Sequence, residues 1–525
     1  MAAKLAFSGK LTKSDPKENP VLIVGQLKFL KQIKFTDVSL KLEPRVNEET
    51  FTTAIEGLHP SPTDSCPLWL TNATVAALPI KCSRHNTQTR SHSLSKLVKS
   101  CYAGGNEYIV IICERKDLVA SAAAVARTLP LYSRKSSTPS KGRTVVVEYL
   151  LVGEGSDKPL DDEDIDCLNT VAEAVRLTAK IVDIPCADMH TNTFLDEIRE
   201  VGKKLGIQPH IIAGEALDQM GFGGIWGVGK AAENLPALAV LSFTPPSAEK
   251  TVAWVGKGIV FDTGGLCIKT KVGMCGMKTD CGGAAAMLGA FYLAAKTGFK
   301  ENLHAVFCLA ENAVGPKALR PDDIITLYSG KTVEINNTDA EGRLVLGDGV
   351  GYAQKDLKAD IIVDMATLTG AQGIATGKYH AGILTNNEDM ELACVKAGQN
   401  CGDLVHPVPY SPELHFPEFN SAVADMKNSV ADRSNAQVSC AGLFIGSHLG
   451  FDFSGVWLHI DMAAPAHIGD RATGYGPTLL NTLFGGKSSN KLLQSIAPAM
   501  PLWEREGMEV EENTDNSKKA KLQTE

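Results

Sequence analysis

Short apolar runs alternate with stretches of helical periodicity between Val21 and about Leu151. The apolar runs are VLIVGQL, YIVIIC and TVVVEYLLVG, and the clearest helical stretch is Lys116–Leu129. Short apolar runs bounded by turn residues are typical of buried strands. The pattern therefore predicts an N-terminal α/β domain over residues 1–160. Within it, the polar and basic segment Ser133–Arg143 is predicted to be a surface loop.

A helix is predicted over residues 161–183. Acidic residues fill its first turn, where the positive end of the helix dipole stabilises them. Its apolar face can be formed by Ile165, Val171, Ala174, Val175 and Leu177. Pro185 ends the helix because proline cannot continue it. We interpret this element as a connection between two domains.

A second alternating series runs from Ile184 to about Phe484. Its strand candidates are ALAVLSF, TVAWVGKGIVF, HAVFCLA, ADIIVDMA and GVWLHIDMA. Strands that are apolar on both faces and are separated by helices indicate a mostly parallel sheet covered by helices on both sides. The fold class is therefore α/β, with a second domain over residues 184–488. Sheets of this kind bind ligands beyond the carboxyl ends of their strands.

Two further segments receive structural rather than functional interpretations. The glycine-dense stretch Gly221–Gly229 (GFGGIWGVG) does not follow a strand as a dinucleotide-binding loop would, so we expect a tight turn with close packing. Residues 489–525 form a C-terminal extension. From about Glu504 this extension is highly charged with few large apolar residues, which predicts disorder.

Bulk composition is that of an ordinary globular protein. The chain has 525 residues, of which 44% are apolar and 21% charged. This length exceeds that of one ordinary hydrophobic core, in agreement with two domains. The net charge of −8 argues against a nucleic-acid partner, because such proteins usually carry a basic excess.

Several features favour a cytoplasmic location. The first residues, MAAKLAFSGKLTKSD, lack the apolar core of a secretory signal, and no uncharged apolar run is long enough for a membrane span. The thirteen cysteines are scattered and include no CxxC pair, which is typical of reduced thiols. These observations predict no membrane association, and they leave the nucleus open as an alternative to the cytoplasm.

Candidate chemistry is concentrated at three segments that follow strands or open helices. The first is Val255–Gly265, in which a lysine and an aspartate lie five residues apart and two glycines then permit a sharp turn. The second is Met277–Ala286, where Asp280 precedes a helix of small residues. The third is Asn336–Arg343, where two carboxylates lie two residues apart and an arginine follows.

Charge balance suggests that these segments form one metal site. Asp262, Asp280, Asp339 and Glu341 together carry four negative charges, which would repel strongly in one crevice. Two divalent cations would neutralise them, and paired metals are a recurring device for hydrolysing amides and phosphates. Each carboxylate alone is more simply explained as a cap, a turn residue or part of a solvated loop. Lys257 alone is equally well explained as a surface lysine.

The same segments resemble the leucyl (cytosol) aminopeptidase family. The run NTDAEGR at Asn337–Arg343 matches the signature of this family, and Val255–Ala286 (VGKG, FDTGG, IK, MKTD, GGAAA) is similar to its other metal and catalytic segments. DMATLTGA at Asp364–Ala371 and the stretch Trp457–Leu480 are similar as well. The resemblance covers about residues 184–484.

The resemblance implies two Zn²⁺ or Mn²⁺ ions. One would be held by Asp262, Asp339 and Glu341, with Asp339 using both its side chain and its main-chain carbonyl. The other would be held by Lys257, Asp262, Asp280 and Glu341. A lysine ligand must be a neutral amine, so the metals would have to lower its pKa.

The family mechanism implies further roles. A water bridging the metals becomes the nucleophile, and one metal binds the free amine of the substrate. Lys269 stabilises the tetrahedral oxyanion, and Arg343 holds a bicarbonate ion that acts as general base. Leu368 and Gly370 are expected to orient the peptide through their amide groups. Met277 is expected to line the pocket for the first side chain, although a methionine alone is equally typical of core packing.

Some positions depart from the family pattern. Thr263 replaces the usual serine but retains a hydroxyl, and Gly273–Met277 lacks the acidic residues that relatives commonly carry there. Cys267, Cys275 and Cys281 also lie near the predicted site. They can be read as small apolar residues or as oxidisable thiols that tune activity.

Three functions remain open from the sequence. The first is an aminopeptidase acting on short peptides. The second is a dinuclear metallohydrolase of another substrate class, such as a phosphoesterase, although no HExxH motif or histidine cluster is present. The third is a non-catalytic binding protein on the same fold, for which DNA binding would involve Arg134, Lys135 and Lys141. The resemblance also implies a homo-hexamer of two stacked trimers.

Overall fold

Two large β-sheets organise the residues that the computed structural model describes, which are 2–136 and 142–501. The charged tail from Glu504 and Lys141 of the basic loop lie outside the described residues, so neither of these predictions is tested.

The N-terminal sheet is almost entirely parallel. Its strands are β1 Lys4–Ser8, β2 Val21–Gln26, β3 Asp64–Trp69, β4 Ala73–Leu78, β5 Glu107–Cys113 and β6 Thr144–Leu151. Their spatial order is β1-β6-β5-β2-β4-β3, and only β3 and β4 pair in antiparallel fashion. The three apolar runs predicted to be strands are β2, β5 and β6. The sequence pattern did not predict β1, β3 and β4.

Five helices accompany this sheet. They are α1 Leu27–Leu30, α2 Phe35–Leu42, α3 Glu48–Glu56, α4 Ser91–Cys101 and α5 Leu118–Ala126. The last of these, preceded by a turn of 3₁₀ helix at Arg115–Asp117, is the helix predicted over Lys116–Leu129. All nine of its residues are buried, because it lies between the sheet and the next helix.

The predicted connecting helix is α6, Asp162–Asp183. Asp161 caps it by accepting a hydrogen bond from the Asp164 amide at 2.9 Å. The helix contacts both halves of the chain. The Arg176 guanidinium donates to the carbonyls of Leu129 and Ala3, whereas the Thr178 hydroxyl donates to the Ala285 carbonyl at 3.0 Å.

The remaining strands form the central sheet and two small ones. They are β7 His210–Ala213, β8 Ala237–Phe243, β9 Thr251–Asp262, β10 Asn302–Asn312, β11 Ile324–Thr326, β12 Thr332–Glu334, β13 Ile361–Ala366, β14 Ala381–Thr385, β15 Val405–Pro407, β16 Met426–Lys427, β17 Val456–Asp461, β18 His467–Ile468 and β19 Arg471–Ala472. The central sheet has eight strands in the order β15-β14-β17-β13-β9-β10-β8-β7. Its middle, β17-β13-β9-β10, is parallel, as predicted. Antiparallel pairs flank this parallel middle. On one side β14 pairs with β17, and on the other side β8 pairs with both β10 and β7.

Helices cover both faces of the central sheet, as the apolar strands predicted. They are α7 Thr191–Leu205, α8 Glu215–Gln219, α9 Gly223–Gly229, α10 Lys271–Met274, α11 Gly282–Lys296, α12 Gly342–Lys355, α13 Gly370–Ala375, α14 Glu388–Cys401, α15 Pro412–His415, α16 Gln437–Ser447, α17 Pro477–Leu483 and α18 Lys491–Ile496. One buried cluster includes α11 and continues into the N-terminal sheet, and another includes α12 and α16 on the opposite face.

The glycine-dense stretch corrects one expectation. Gly221–Gly229 is not a turn along its length but mostly the short helix α9. The close packing that we expected is present. A Cβ atom at Gly223 would lie 2.1 Å from the Thr326 carbonyl oxygen, so only glycine allows the helix to approach this strand.

Across the two described ranges, no helix combines the length and the apolar character that a membrane crossing requires.

Candidate metal centre

The three chemistry-bearing segments meet at the carboxyl edge of the parallel strands. Lys257 and Asp262 lie on β9, and Asp280 lies on a 3₁₀ helix, Met277–Cys281, that precedes α11. Glu341 is the residue before α12, and Asp339 lies two residues earlier. This placement agrees with the rule that parallel sheets bind ligands at the carboxyl ends of their strands.

A sharp turn after β9 brings its end close to the third segment. Gly264 and Gly265 have φ values of +85° and +63°, a left-handed conformation that side chains with a Cβ rarely adopt. A Cβ atom at Gly264 would lie 2.9 Å from Asp339 Oδ1. The turn therefore requires glycine for its backbone conformation and for its close approach to Asp339.

Three buried carboxylates form the centre of the site. One oxygen from each of Asp262, Asp280 and Glu341 lies within 4.8 Å of the others. These residues are 2–5% exposed. Asp339 is less buried, and it joins the cluster through a lysine.

Two lysines lie between the carboxylates. Lys257 Nζ is 2.7 Å from Asp280 Oδ1 and 3.0 Å from Glu341 Oε1, and it also donates to the Thr367 carbonyl at 2.9 Å. Lys269 Nζ is 2.8 Å from Asp262 Oδ2 and 2.5 Å from Asp339 Oδ1. The sequence prediction that these residues converge on one crevice is therefore satisfied by their geometry.

The protonation equilibria reflect crowded negative charge. Burial, and then the neighbouring Asp262 carboxylate, raise the pKa of Glu341 to about 8. Burial also raises the pKa of Asp280 and that of Asp339. Burial alone would lower the pKa of Lys257, but the surrounding carboxylates outweigh it and raise the pKa above its ordinary value.

The donor set fits divalent cations. Four carboxylates face two lysines, so full ionisation of the carboxylates would leave two negative charges without compensation, and burial of this charge raises the pKa of Asp280, Asp339 and Glu341. The Oδ2 atom of Asp280 is buried and has no hydrogen-bond partner among residues 2–136 and 142–501. Buried carboxylate oxygens without a partner are costly unless they are protonated or bind a cation. Carboxylate ligands of this kind suit Mn²⁺ and Zn²⁺.

Arg343 lies in the first turn of α12 beside the cluster. Its Nη1 donates to the Asn428 carbonyl at 3.0 Å, and its guanidinium is 5.8 Å from the centre of the Phe419 ring. Burial lowers the pKa of this arginine to about 10. Because a guanidinium has five N–H donors, one bond to Asn428 still allows it to hold an anion.

A loop after β13 carries two of the three predicted substrate-binding residues. Leu368 is the second residue after the strand, and Gly370 is the first residue of α13. The expectation that the Leu368 amide orients the peptide needs correction, because this amide already donates to Asp461 Oδ1 at 3.1 Å. The Leu368 carbonyl is the backbone group that a ligand can use. A Cβ atom at Gly370 would meet no atom within 4 Å, which leaves open space beside this backbone. Met277 is half-buried and begins the 3₁₀ helix that carries Asp280.

Several residues that support the site were not identified from the sequence. Asn312, at the end of β10, donates to Asp262 Oδ1 at 2.8 Å, and the Thr367 hydroxyl donates to Asp280 Oδ1 at 2.9 Å. Asp461, at the end of β17, accepts the amides of Leu368, Thr369 and Ala463. Each of them ends a central strand or directly follows one, so the strand-end rule that identified Asp262 could have found them.

The nearby cysteines differ in exposure. Cys281 is buried, and burial raises the pKa of its thiol to about 12, which suppresses the reactive thiolate. Cys267 is half-buried and Cys275 is exposed. The interpretation of Cys281 as a small apolar residue is therefore favoured over oxidative regulation at that position.

Comparison with known sequences identifies both domains. The sequence model described as the cytosol aminopeptidase family, catalytic domain, matches residues 176–481, and that of the M17 aminopeptidase N-terminal domain 2 matches residues 19–138. The chain is 60% identical to the probable aminopeptidase NPEPL1 of Homo sapiens over 497 residues, covering 94% of this chain and 95% of that protein. It is 44% identical to leucine aminopeptidase 1 of Caenorhabditis elegans, covering 90% of this chain and 96% of that protein.

Solved structures agree with this assignment. The structure of C. elegans leucine aminopeptidase superposes with a TM-score of 0.88 at 41% identity, covering 94% of this chain and all of that one. The leucyl aminopeptidase of Trypanosoma brucei in complex with bestatin superposes with a TM-score of 0.81 at 37% identity, covering 91% of this chain and 95% of that one. Family match, sequence identity and fold thus lead to one conclusion: the chain belongs to the cytosol aminopeptidase family.

Proposed function

We propose that this protein is a metal-dependent aminopeptidase that releases N-terminal residues from short peptides. The observation that carries this proposal is the buried cluster of Asp262, Asp280 and Glu341, interleaved with Lys257 and Lys269. The family membership of the chain selects peptides over phosphate esters as substrates. The T. brucei relative was solved with bestatin, so we expect the same compound to inhibit this protein.

Two divalent cations, Zn²⁺ or Mn²⁺, would be held by the residues named from the family resemblance. Asp262 and Glu341 would contact both ions, Asp339 one of them, and Lys257 and Asp280 the other. When bound, the ions would polarise the scissile carbonyl and lower the pKa of a water molecule. Lys257 would have to give up its proton to the solvent or to a neighbouring carboxylate before it could serve as a ligand.

Lys269 and Arg343 would act on the reacting groups. Lys269 Nζ lies between Asp262 and Asp339, so it can donate a hydrogen bond to an oxyanion that forms over these carboxylates. Arg343 would hold a bicarbonate ion through the N–H groups that Asn428 does not occupy. That bicarbonate would accept the proton of the attacking water.

The loop after β13 would bind the peptide backbone. Asp461 holds the Leu368 amide and so fixes the orientation of this part of the backbone. The Leu368 carbonyl would accept a hydrogen bond from the substrate. The Gly370 amide lies in the first turn of α13, where amides have no acceptor within their own helix. Met277 would contact the first side chain of the substrate.

Substrate class is tested with the full-length protein loaded with Zn²⁺ or Mn²⁺. We expect hydrolysis of leucyl and other dipeptides, inhibition by bestatin, and no turnover when the substrate amine is acetylated. p-Nitrophenyl phosphate provides the comparison for a phosphoesterase. Cleavage of the phosphate ester with no release of amino acids would contradict the proposed function.

Replacing Lys269 with methionine is expected to lower kcat by about 10²–10³-fold, because one preorganised oxyanion donor is lost. KM and the metal content should change little, since Lys269 is not assigned as a ligand. Steady-state kinetics and elemental analysis measure these quantities. Lys271→Met is the matched control, because Lys271 is exposed two residues further along the same segment. Equal kcat values in the two variants would exclude this role.

Replacing Asp461 with asparagine is expected to raise KM by about tenfold, with a smaller change in kcat. The carboxylate accepts hydrogen bonds from three backbone N–H groups and from the Thr369 hydroxyl. In the asparagine variant, the side-chain NH₂ group would face some of these donors and could not accept their hydrogen bonds. Asp461 is thus a positioning residue for the peptide-binding loop. Asp360→Asn is the control, because Asp360 accepts the Thr251 amide at the opposite end of the sheet. A kcat loss at unchanged KM would contradict the positioning role.

Assembly and location remain proposals. Family resemblance supports a homo-hexamer of two stacked trimers, which sedimentation velocity would distinguish from a trimer or a monomer. The family name supports a cytoplasmic location, which imaging of the tagged full-length chain would test.

A further inference from the structure

A cavity of about 350 Å³ lies between the N-terminal domain and the catalytic domain. Helix α4 and the end of α5 form its N-terminal wall. The segment after α13 and the segment Pro465–Tyr475 form the opposite wall. The carboxylates of the metal centre do not line this cavity, so it is a separate site.

Positive charge dominates the cavity. Its lining contains one carboxylate, Asp403, and the basic side chains of Lys96, Lys99, Arg127, Lys378 and Arg471. Arg127 is paired with Asp403, and Arg471 is paired with Asp183 at 2.9 Å. Three lysines remain, and within residues 2–136 and 142–501 none of them has an ion-pair partner. This concentration of positive charge contrasts with the net charge of −8 of the whole protein.

His92 contributes a polar atom that lacks a partner. Its Nε2 is buried and, among the described residues, makes no hydrogen bond. The imidazole ring lies against Tyr379, with 4.5 Å between ring centres. Burial lowers the pKa of His92 to about 4, so the ring is neutral at physiological pH. The His92 ring therefore adds an uncharged polar group, and no positive charge, to the wall of the cavity.

Apolar side chains complete the cavity. Ile468 and Tyr379 are 57% and 48% exposed at its rim, and Tyr475 is buried in its wall. The volume falls within the range of small-molecule sites, and it exceeds what an inorganic anion would fill. The lining thus suits a molecule with an apolar or aromatic body and more than one negative charge.

We propose that this cavity binds a small organic phosphate, such as a nucleoside phosphate. Three lysines around one pocket match a phosphate group, which carries close to two negative charges at neutral pH. Tyr379 and Ile468 would contact the organic part. The uncharged His92 ring would form part of the wall beside it.

The cavity is connected to the metal centre through Asp183. Arg471 lines the cavity and pairs with the Asp183 carboxylate, while Lys278 donates to the Asp183 carbonyl at 2.8 Å. Lys278 lies on the 3₁₀ helix that carries Met277 and Asp280. Occupancy of the cavity is therefore expected to change the KM for peptide substrates.

The test is isothermal titration calorimetry of the full-length, metal-loaded protein with AMP, inorganic phosphate, adenosine and citrate. We expect AMP to bind at one saturable site, inorganic phosphate to bind more weakly, and adenosine not to bind. A Lys96→Gln/Lys99→Gln/Lys378→Gln variant should bind AMP at least about tenfold more weakly. These lysines are exposed, so their replacement should leave the fold intact.

A triple variant with the same charge change elsewhere, Lys13→Gln/Lys300→Gln/Lys317→Gln, should bind AMP like the original protein, since these exposed lysines lie outside the cavity. Equal AMP affinity in the two triple variants would overturn the proposal. Citrate binding tighter than AMP would overturn the choice of phosphate. An unchanged KM at saturating AMP would contradict the connection through Asp183. Calorimetry needs no peptidase activity, so the binding outcomes are independent of the proposed function, whereas the KM outcome rests on it.

Discussion

An Asp262→Asn variant is expected to lose kcat/KM for dipeptides by about 10³-fold or more, together with most of its bound metal. Asp262 is, with Glu341, one of the two carboxylates that the proposed arrangement shares between the two cations. Its Oδ2 faces Lys269 at 2.8 Å, and its Oδ1 accepts hydrogen bonds from the Gly264 amide and Asn312 at 2.8 Å each. Asparagine has the same shape but places an NH₂ group where an oxygen is needed, and it removes a negative charge from the centre.

The measurements for this variant are steady-state kinetics on a leucyl dipeptide and metal content by elemental analysis. Asp323→Asn is the matched control, because Asp323 lies in a surface loop and pairs with Arg320. The control should keep its activity within about twofold, as surface substitutions usually do. An Asp262→Asn protein with two bound metals and near-normal kcat/KM would refute the assignment of Asp262 as a shared ligand.

The sequence predicted the geometry of the candidate site where its residues lie next to a strand or a turn that the local sequence pattern also predicts. The apolar run before Asp262 predicts a strand, and the two glycines after it predict the turn that brings Asp339 within reach. The parallel order of the strands then places Asp262 and Thr367 at one edge of the sheet. Local pattern and topology together are thus sufficient to predict the crevice.

Contacts between residues that are far apart in the chain could not be predicted from the sequence. Asp461 holds the Leu368 amide across two neighbouring strands, and only the register of β13 with β17 reveals this contact. The helix α9 was mistaken for a turn because glycine disfavours helices in isolation, whereas here it is required for contact with Thr326. Likewise, the antiparallel strands beside the parallel middle of the central sheet carry no distinguishing signal in their apolar runs.

A buried ion pair between α2 and β6 in the N-terminal domain could likewise not be predicted from the sequence. Lys41 and Glu148 are both fully buried, and their charged atoms lie 2.8 Å apart. The Thr12 hydroxyl donates to Glu148 at 2.6 Å and accepts from Lys41 at 3.0 Å, and the Lys41 ammonium lies 3.2 Å from the centre of the Tyr108 ring. Neither residue is distinguished in the sequence from the many exposed lysines and glutamates.

A Glu148→Leu variant is expected to lose about 3–5 kcal/mol of unfolding free energy, because an unpaired ammonium would remain buried. Lys41→Met/Glu148→Leu should recover most of that loss, since two apolar side chains of similar volume replace the pair. Urea denaturation of the full chain measures the unfolding free energy of the single and the double variant. Glu154→Leu is the control, because Glu154 is exposed and lies 3.8 Å from its ion-pair partner Lys116. A loss of less than about 1 kcal/mol in Glu148→Leu would contradict the argument. Under conditions in which the variant remains folded, its kcat should be unchanged, because the ion pair lies outside the metal centre. A kcat that falls as the unfolding free energy falls would instead indicate that the N-terminal sheet helps to form the catalytic site.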